Sequence, residues 1–262
     1  MKKIIDMNSI KDKNIIITGA SKGLGAVCAK AFAEYNTKLV LIARTKFKLE
    51  KVRQSCQNTE NHMILPIDLC NQEELHEGII SAKHFLKSVD ILLHVAGGGL
   101  GMHNPLIEAT DLFKLFKLNL GSIVEINRMI VPDMIKQGSG NIVHVGSIAS
   151  TEATGSVGYN TVKAALAAYV RSFGNQMAGS GIIVNGILPG GFLAPENAME
   201  RLNKSKPEVY AHFVKERLPR QYMAKAEEML PLLFFLCSNS ASMMGGCMVP
   251  IDAGEGKAYQ QI

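Results

Sequence analysis

The segment GYNTVKAALAAY, residues 158–169, sets Tyr159 and Lys163 four residues apart among mostly small side chains. Four residues are about one helical turn, so on a helix both side chains share a face. A free phenol has a pKa of about 10 and is a poor base near neutrality. A cation one turn away favours the phenolate, and a shift of two to three units corresponds to roughly 3–4 kcal/mol. Such a pair suits proton exchange with a substrate oxygen. Taken alone, about one chance Tyr-x-x-x-Lys match is expected in a chain this long. Its meaning rests on what accompanies it.

A second group lies near the start of the chain. TGASKGLG, residues 18–25, places Gly19, Gly23 and Gly25 in a G-x-x-x-G-x-G spacing with Ser21, Lys22 and Leu24 between and around them. Glycine permits a sharp turn and close approach to a pyrophosphate, and a helix that follows offers N–H groups and the positive end of its dipole. The motif follows an apolar strand pattern and opens a helical one, which is the context dinucleotide binding requires. About 20 residues on, a carboxylate would hold the ribose hydroxyls of NAD. Here Ala43 takes that place and Arg44 follows. Ser21, Lys22 and Arg44, with no acid beside them, suit a phosphate dianion, so the reading is NADP(H) rather than NAD(H). Asp68 and Leu69 end the third strand, placed to accept from the adenine amino group and to flank its ring. Ala96 and Gly97 end the fourth and allow backbone approach to the middle of the cofactor, with Gly98, Gly99 and Gly101 making the next loop permissive.

These groups need a scaffold. Runs at 14–18, 38–43, 62–67, 90–96, 141–146, 182–188 and 247–251 read as strands, most of them apolar on consecutive residues. That pattern marks strands covered on both faces. Segments 23–35, 46–57, 72–87, 107–137, 157–178 and 226–238 read as helices, with Pro132 expected to bend or end the fourth. The alternation predicts an α/β fold: a Rossmann-type, doubly wound parallel sheet of about seven strands with helices on both faces. Ligands of such sheets bind at the strands' C-terminal edge. The whole of 1–262 reads as a single domain. Residues 191–222, polar, charged and holding three prolines, read as an insertion that forms a lid over that edge.

Composition narrows the rest. Of 262 residues, 47% are apolar and 19% charged, enough for a proper core. The net charge of +5 is spread without a basic block, which argues against nucleic acid as a partner. Five cysteines, with no C-x-x-C, fit neither a disulfide framework nor a zinc site, and no metal is expected. No signal peptide or membrane-length apolar run is present, so the reading is a soluble, cytoplasmic protein with no membrane partner.

TGxxxGxG, an apolar strand ending in Ala-Gly, Asn119 in FKLNLGS, Ser147 in VHVGSIAS, the Tyr159–Lys163 pair and LPGGF at 188–192 occur in an order that resembles the short-chain dehydrogenase/reductase family over essentially the whole chain. The resemblance implies an oxidoreductase that moves hydride between a nicotinamide and a carbonyl or secondary alcohol. It implies Tyr159 as proton donor and acceptor, Lys163 as its partner and a contact of the nicotinamide ribose, and Ser147 as the group that polarises the carbonyl. It implies Asn119 as holder of a water linking the lysine to solvent, and Pro189 and Gly190 as a turn walling the nicotinamide. His94 and Val95 stand where the family has two asparagines that brace the sheet, so bracing must pass elsewhere, and His94 reads as an interior histidine. The Ser-to-Tyr spacing of 12 is one shorter than the commonest, which tightens the substrate loop. Ala194 stands near the threonine that often anchors the carboxamide, leaving that anchoring open.

The substrate pocket is expected from 98–102, 150–152, 191–193 and the lid, with Glu152 and His103 pointing to a polar molecule. Arg201, Lys204, Lys206, Lys215, Arg217 and Arg220 stand on the lid where they could receive an anionic substrate, or simply face solvent. Three readings stay open: a reductase of a polar small molecule, a 3-oxoacyl-carrier-protein reductase or surface-sugar and flagellin-glycan oxidoreductase, and a non-catalytic NADP(H)-binding module. The small-residue face of KAALAAYVRSF suits close helix packing, and the resemblance implies a homodimer or homotetramer, of which the tetramer is the expectation.

Overall fold

The computed structural model describes residues 7–258. Six strands enter in turn: β1 Asn14–Thr18, β2 Lys38–Ala43, β3 Met63–Pro66, β4 Ile91–His94, β5 Gly140–Val145 and β6 Ile182–Pro189. Two short strands follow, β7 Phe192–Leu193 and β8 Ala224–Lys225, paired only with each other, and β9 Met248–Ile251 comes last. The main sheet has seven parallel strands in the order β3-β2-β1-β4-β5-β6-β9. The chain first winds outward from β1 to β3, then returns to β4 beside β1 and winds the other way. That reversal opens a crevice at the C-terminal ends of β1 and β4, where Thr18 and His94 stand side by side.

The consecutive apolar residues of the strands are buried because helices cover both faces. Ile15, Ile17, Leu39, Leu41 and Leu93 pack into one cluster with Phe32, Leu233 and Phe234. Their sequence neighbours Ile16, Val40, Ile42 and Leu92 point the other way, into a cluster with Leu75, Ile79, Ile126, Ile130 and Leu166. The helices are α1 Gly23–Ala33, α2 Lys46–Gln54, α3 Gln72–Leu86, α4 Ala109–Phe116, α5 Ser122–Gln137, α6 Val157–Met177, α7 Ala198–Ser205, α8 Pro207–Arg217 and α9 Leu230–Leu236. The five cysteines are free. Cys28 and Cys237 lie inside the first cluster, where burial pushes the Cys28 thiol up to about 12 and that of Cys237 well above its ordinary value. Among the described residues, no helix is long and apolar enough to cross a membrane, and no cluster of His, Cys, Asp or Glu is placed to hold a metal ion.

Several expected elements differ in detail. The helix expected over 107–137 is two helices joined by a widened π turn at Lys117–Gly121. Pro132 does not end the second of them. The proline is exposed, as is Arg128 four residues earlier, so the carbonyl it leaves unbonded lies on the wet side. The polar stretch after β6 carries two helices: Asn197 caps α7 through its side chain, and Pro207 opens α8 at a position that tolerates proline. The helix expected at 226–238 begins as a 3-10 turn, Ala226–Met229, before α9.

Candidate active site

Ser147 leaves β5 in an extended conformation and caps the short turn Ile148–Ser150, its Oγ accepting from Ala149 N at 3.1 Å. Ser156 starts α6 by accepting from Tyr159 N at 3.4 Å. Tyr159 and Lys163 are therefore one turn apart on a helix, as the spacing predicts. Asn160 tightens the loop between, accepting from Gly155 N at 2.9 Å and donating to the Glu152 carbonyl. A side chain at Gly155 would lie 2.8 Å from the Tyr159 ring, so the loop is closed down on the tyrosine.

Lys163 is buried, donates from Nζ to Val145 O at 3.0 Å, and has that nitrogen 5.7 Å from the Tyr159 ring centroid. Burial lowers its pKa to about 8. The same burial raises the phenol of Tyr159, while the Ser147 hydroxyl, hydrogen-bonding it, acts in the opposite direction. In the protein alone, desolvation is the larger of the two effects and favours the protonated phenol. Asn119 is fully buried in the π turn. It grips Gly98 at both ends, Oδ1 accepting from Gly98 N at 2.9 Å and Nδ2 donating to Gly98 O at 3.0 Å, and also donates to Leu115 O at 2.9 Å. A Cβ on Gly97 would stand 2.7 Å from Asn119 Oδ1 and 3.2 Å from Lys163 Nζ. The four residues expected to act together thus converge around the end of β4.

The glycine-rich turn fits a nucleotide's phosphates. Gly19 has φ +69, and a Cβ there would come within 2.8 Å of Ala96 N; one on Gly25 would strike Gly19 O at 2.3 Å. Backbone therefore packs on backbone between the first turn and the end of β4. Lys22 is the N-cap of α1, Leu24 is buried behind the turn, Ser21 is half-buried and Arg44 is exposed at the end of β2. The Lys22 ammonium is lowered first by partial burial and then by the nearby charges of Arg201, Lys48 and Arg44, with Glu196 opposing.

At the end of β3, Asp68 accepts from Cys70 N through Oδ1 at 2.9 Å, and Leu69 is buried in the second core cluster. The bracing expected of the missing asparagines is shared. Thr18 Oγ1 accepts from Val95 N at 3.1 Å and Ala96 N at 3.2 Å, while His94 Nε2 meets Asn127 Oδ1 at 3.0 Å. Ala194 faces the first core cluster.

After β6, Pro189–Gly190 leads into a corner fixed by Glu255. This buried carboxylate accepts from Gly191 N and pairs with Arg217 of α8 at 3.1 Å. Desolvation raises its pKa, with the Gly191 bond and Arg217 opposing. Sequence reading missed Glu255; its one signal was an acid within the glycine-bearing stretch after the last strand. The lid cations are largely engaged rather than aimed at a substrate: Lys204 with Glu200, Arg217 with Glu255, Arg220 with Glu228, and Arg201 with the Glu196 carbonyl. Glu152 likewise receives Lys257 N at 2.7 Å and Ala258 N at 3.1 Å. His103 is exposed.

A switch-point crevice, a glycine cradle at its first turn, and a half-buried tyrosine one turn from a buried lysine, beside a serine and an asparagine, define a nicotinamide-linked oxidoreductase on a doubly wound sheet. The chain belongs to the short chain dehydrogenase family, whose sequence pattern matches residues 13–205, and is an oxidoreductase acting at alcohol and carbonyl groups. It is 30% identical to the protein FixR of Bradyrhizobium diazoefficiens, over 93% of this chain and 86% of that one. It is 27% identical to the 3-oxoacyl-[acyl-carrier-protein] reductase FabG of Buchnera aphidicola, over 94% and 98%. Among solved structures, L-sorbose reductase of Gluconobacter frateurii, complexed with NADPH and L-sorbose, superposes with a TM-score of 0.88 at 26% identity, covering 97% of this chain and 100% of that one.

Proposed function

We propose that this protein is an NADP(H)-dependent reductase of a carbonyl on a polar small molecule, running in reverse as an alcohol dehydrogenase. The observation that carries the reading is the convergence of Ser147, Tyr159, Lys163 and Asn119 beside the glycine corner 97–101, where a Cβ on Gly98 would meet no heavy atom within 4 Å. The nicotinamide, when bound, supplies or accepts the hydride. Tyr159, held protonated by burial, is in the state needed to give its proton to a carbonyl oxygen as that oxygen gains charge. Ser147 donates a hydrogen bond to the same oxygen. The Lys163 ammonium, one turn away, offsets the negative charge left on the phenol. Asn119 sets the wall by fixing Gly98. Ser21, Lys22 and Arg44, with Ala43 in place of an acid, support NADP(H). The likeness to an NADPH-bound sorbose reductase supports the cofactor and a polyhydroxylated substrate class. Residues 191–222 act as the lid, and the free cysteines suit a reducing, cytoplasmic setting.

The test pairs binding with turnover. Tyr159→Phe is expected to lower kcat by about 10²- to 10⁴-fold while NADPH affinity stays within about twofold. A panel of keto-sugars, diketones and 3-oxoacyl thioesters names the substrate class. Unchanged turnover in Tyr159→Phe would remove the proton-transfer role. Turnover of thioesters alone would replace the polar-substrate reading with an acyl-chain reductase, and NADPH binding without turnover on any panel member would favour a binding module.

A further inference from the structure

The loop between β7 and α7 lies on the nucleotide end of the site. Its Pro195 carbonyl accepts from Gly23 N, in the first turn of α1, at 2.8 Å. The next residue, Glu196, holds a left-handed backbone at φ +57, a conformation a non-glycine residue seldom keeps without support. Support comes from three sides. Its N–H donates to Glu200 at 2.7 Å, its carbonyl accepts from Arg201, and its carboxylate pairs with Lys48 in the first turn of α2. Lys48 is 148 residues away in sequence, and it follows Arg44 by four residues across the start of α2.

The loop thus spends one carbonyl and one carboxylate on two kinds of group that a phosphorylated nucleotide also needs: a helix N-terminal N–H and a basic cluster. Lys22 feels Arg44, Lys48 and Arg201 together, so four cations gather here, and Glu196 is the carboxylate that opposes them at Lys22. A phosphate dianion is the stronger partner for such a cluster, and its arrival would leave Glu196 facing like charge.

We propose that Glu196 is a built-in competitor for the ribose 2′-phosphate of NADP(H), and that Lys48, which it holds, is a further residue selecting that phosphate. Exchange of the Lys48–Glu196 pair for a Lys48–phosphate pair removes one of the three supports of the loop whose Pro195 carbonyl covers Gly23 N. This deepens the NADP(H) reading above and rests on it.

The experiment measures dissociation constants for NADPH and NADH by fluorescence, with 2′,5′-ADP and 5′-AMP as fragments lacking the nicotinamide. Glu196→Gln is expected to tighten NADPH and 2′,5′-ADP by about three- to tenfold and to leave NADH and 5′-AMP within about twofold. Lys48→Met is expected to weaken the two 2′-phosphorylated ligands about tenfold, and in its background the effect of Glu196→Gln should be much smaller than in the wild type. The pair is solvent-exposed, so both variants should keep the wild-type melting temperature within a few degrees. Equal shifts for all four ligands, or weaker NADPH binding in Glu196→Gln, would overturn the competitor role while leaving the NADP(H) reading intact. The reading itself is tested separately by Arg44→Asp: if that change weakens NADPH and NADH alike, or the wild type prefers NADH, both the reading and the competitor role fall.

Discussion

His94 and His144 are direct partners across β4 and β5, their rings stacked at 4.9 Å and 11°. Only His94 Nε2 has a hydrogen-bond partner among the described residues; His94 Nδ1 and both nitrogens of His144 have none. Burial therefore holds both imidazoles neutral, lowering His94 to about 4 and His144 well below its ordinary value, with Lys163 adding to the effect on His144. An unfolded histidine titrates near 6.5. Between that value and 4 the unfolded chain binds a proton that folded His94 refuses, so stability is complete above about pH 6.5 and declines as pH falls. For His94 the full loss is about 3 kcal/mol. Urea midpoints measured from pH 7.5 to 4.5 should fall, and His94→Asn should flatten the fall; parallel curves for the two proteins would contradict the assignment. The position of His94 was readable as interior, but its stacking partner was not, because nothing in a strand's sequence names the residue opposite on its neighbour.

The π turn at Lys117–Gly121 shows what an element adds to its residues. Asn119 makes three hydrogen bonds from that turn, two of them to Gly98. Replacing it by leucine leaves the half-buried N–H and C=O groups of Gly98 without these partners and should cost roughly 1–2 kcal/mol. If the asparagine positions the wall, kcat of Asn119→Leu should fall much further than KM rises, and Asn119→Asp, which keeps the acceptor for Gly98 N, should recover part of it; a variant that only melts earlier would mark Asn119 as structural. Asn119 itself was legible from its motif, yet the widened turn was not, since the apolar pattern runs unbroken from α4 into α5. The charged stretch after β6 misled in the opposite direction. Its caps, Asn197 and Pro207, were present in the sequence, but α7 and α8 bury no residue, so no apolar face announced them. Contacts such as Glu196–Lys48 and Glu255–Arg217 depend on the folded path of the chain and left little trace in local spacing.

At the scale of the molecule, sheet type and strand count followed from consecutive apolar runs, and the crevice followed from the winding. The helical face from α4 to α5 carries Phe113, 70% exposed, with Phe116 and Val124 also exposed nearby. We expect this face to be covered by further copies of the chain, giving a homotetramer. Light scattering at micromolar protein should return four times the chain mass, and Phe113→Asp with Phe116→Asp should lower it; a monomer in the wild type would refute the assembly. The two thiols sealed between the sheet and its helices, Cys28 and Cys237, have a consequence of another kind. A thiol reagent can find partly exposed Cys70 in the folded protein, whereas the sealed pair stays silent until the layers part. Their labelling is a natural clock, each modified molecule recording that it has once come open.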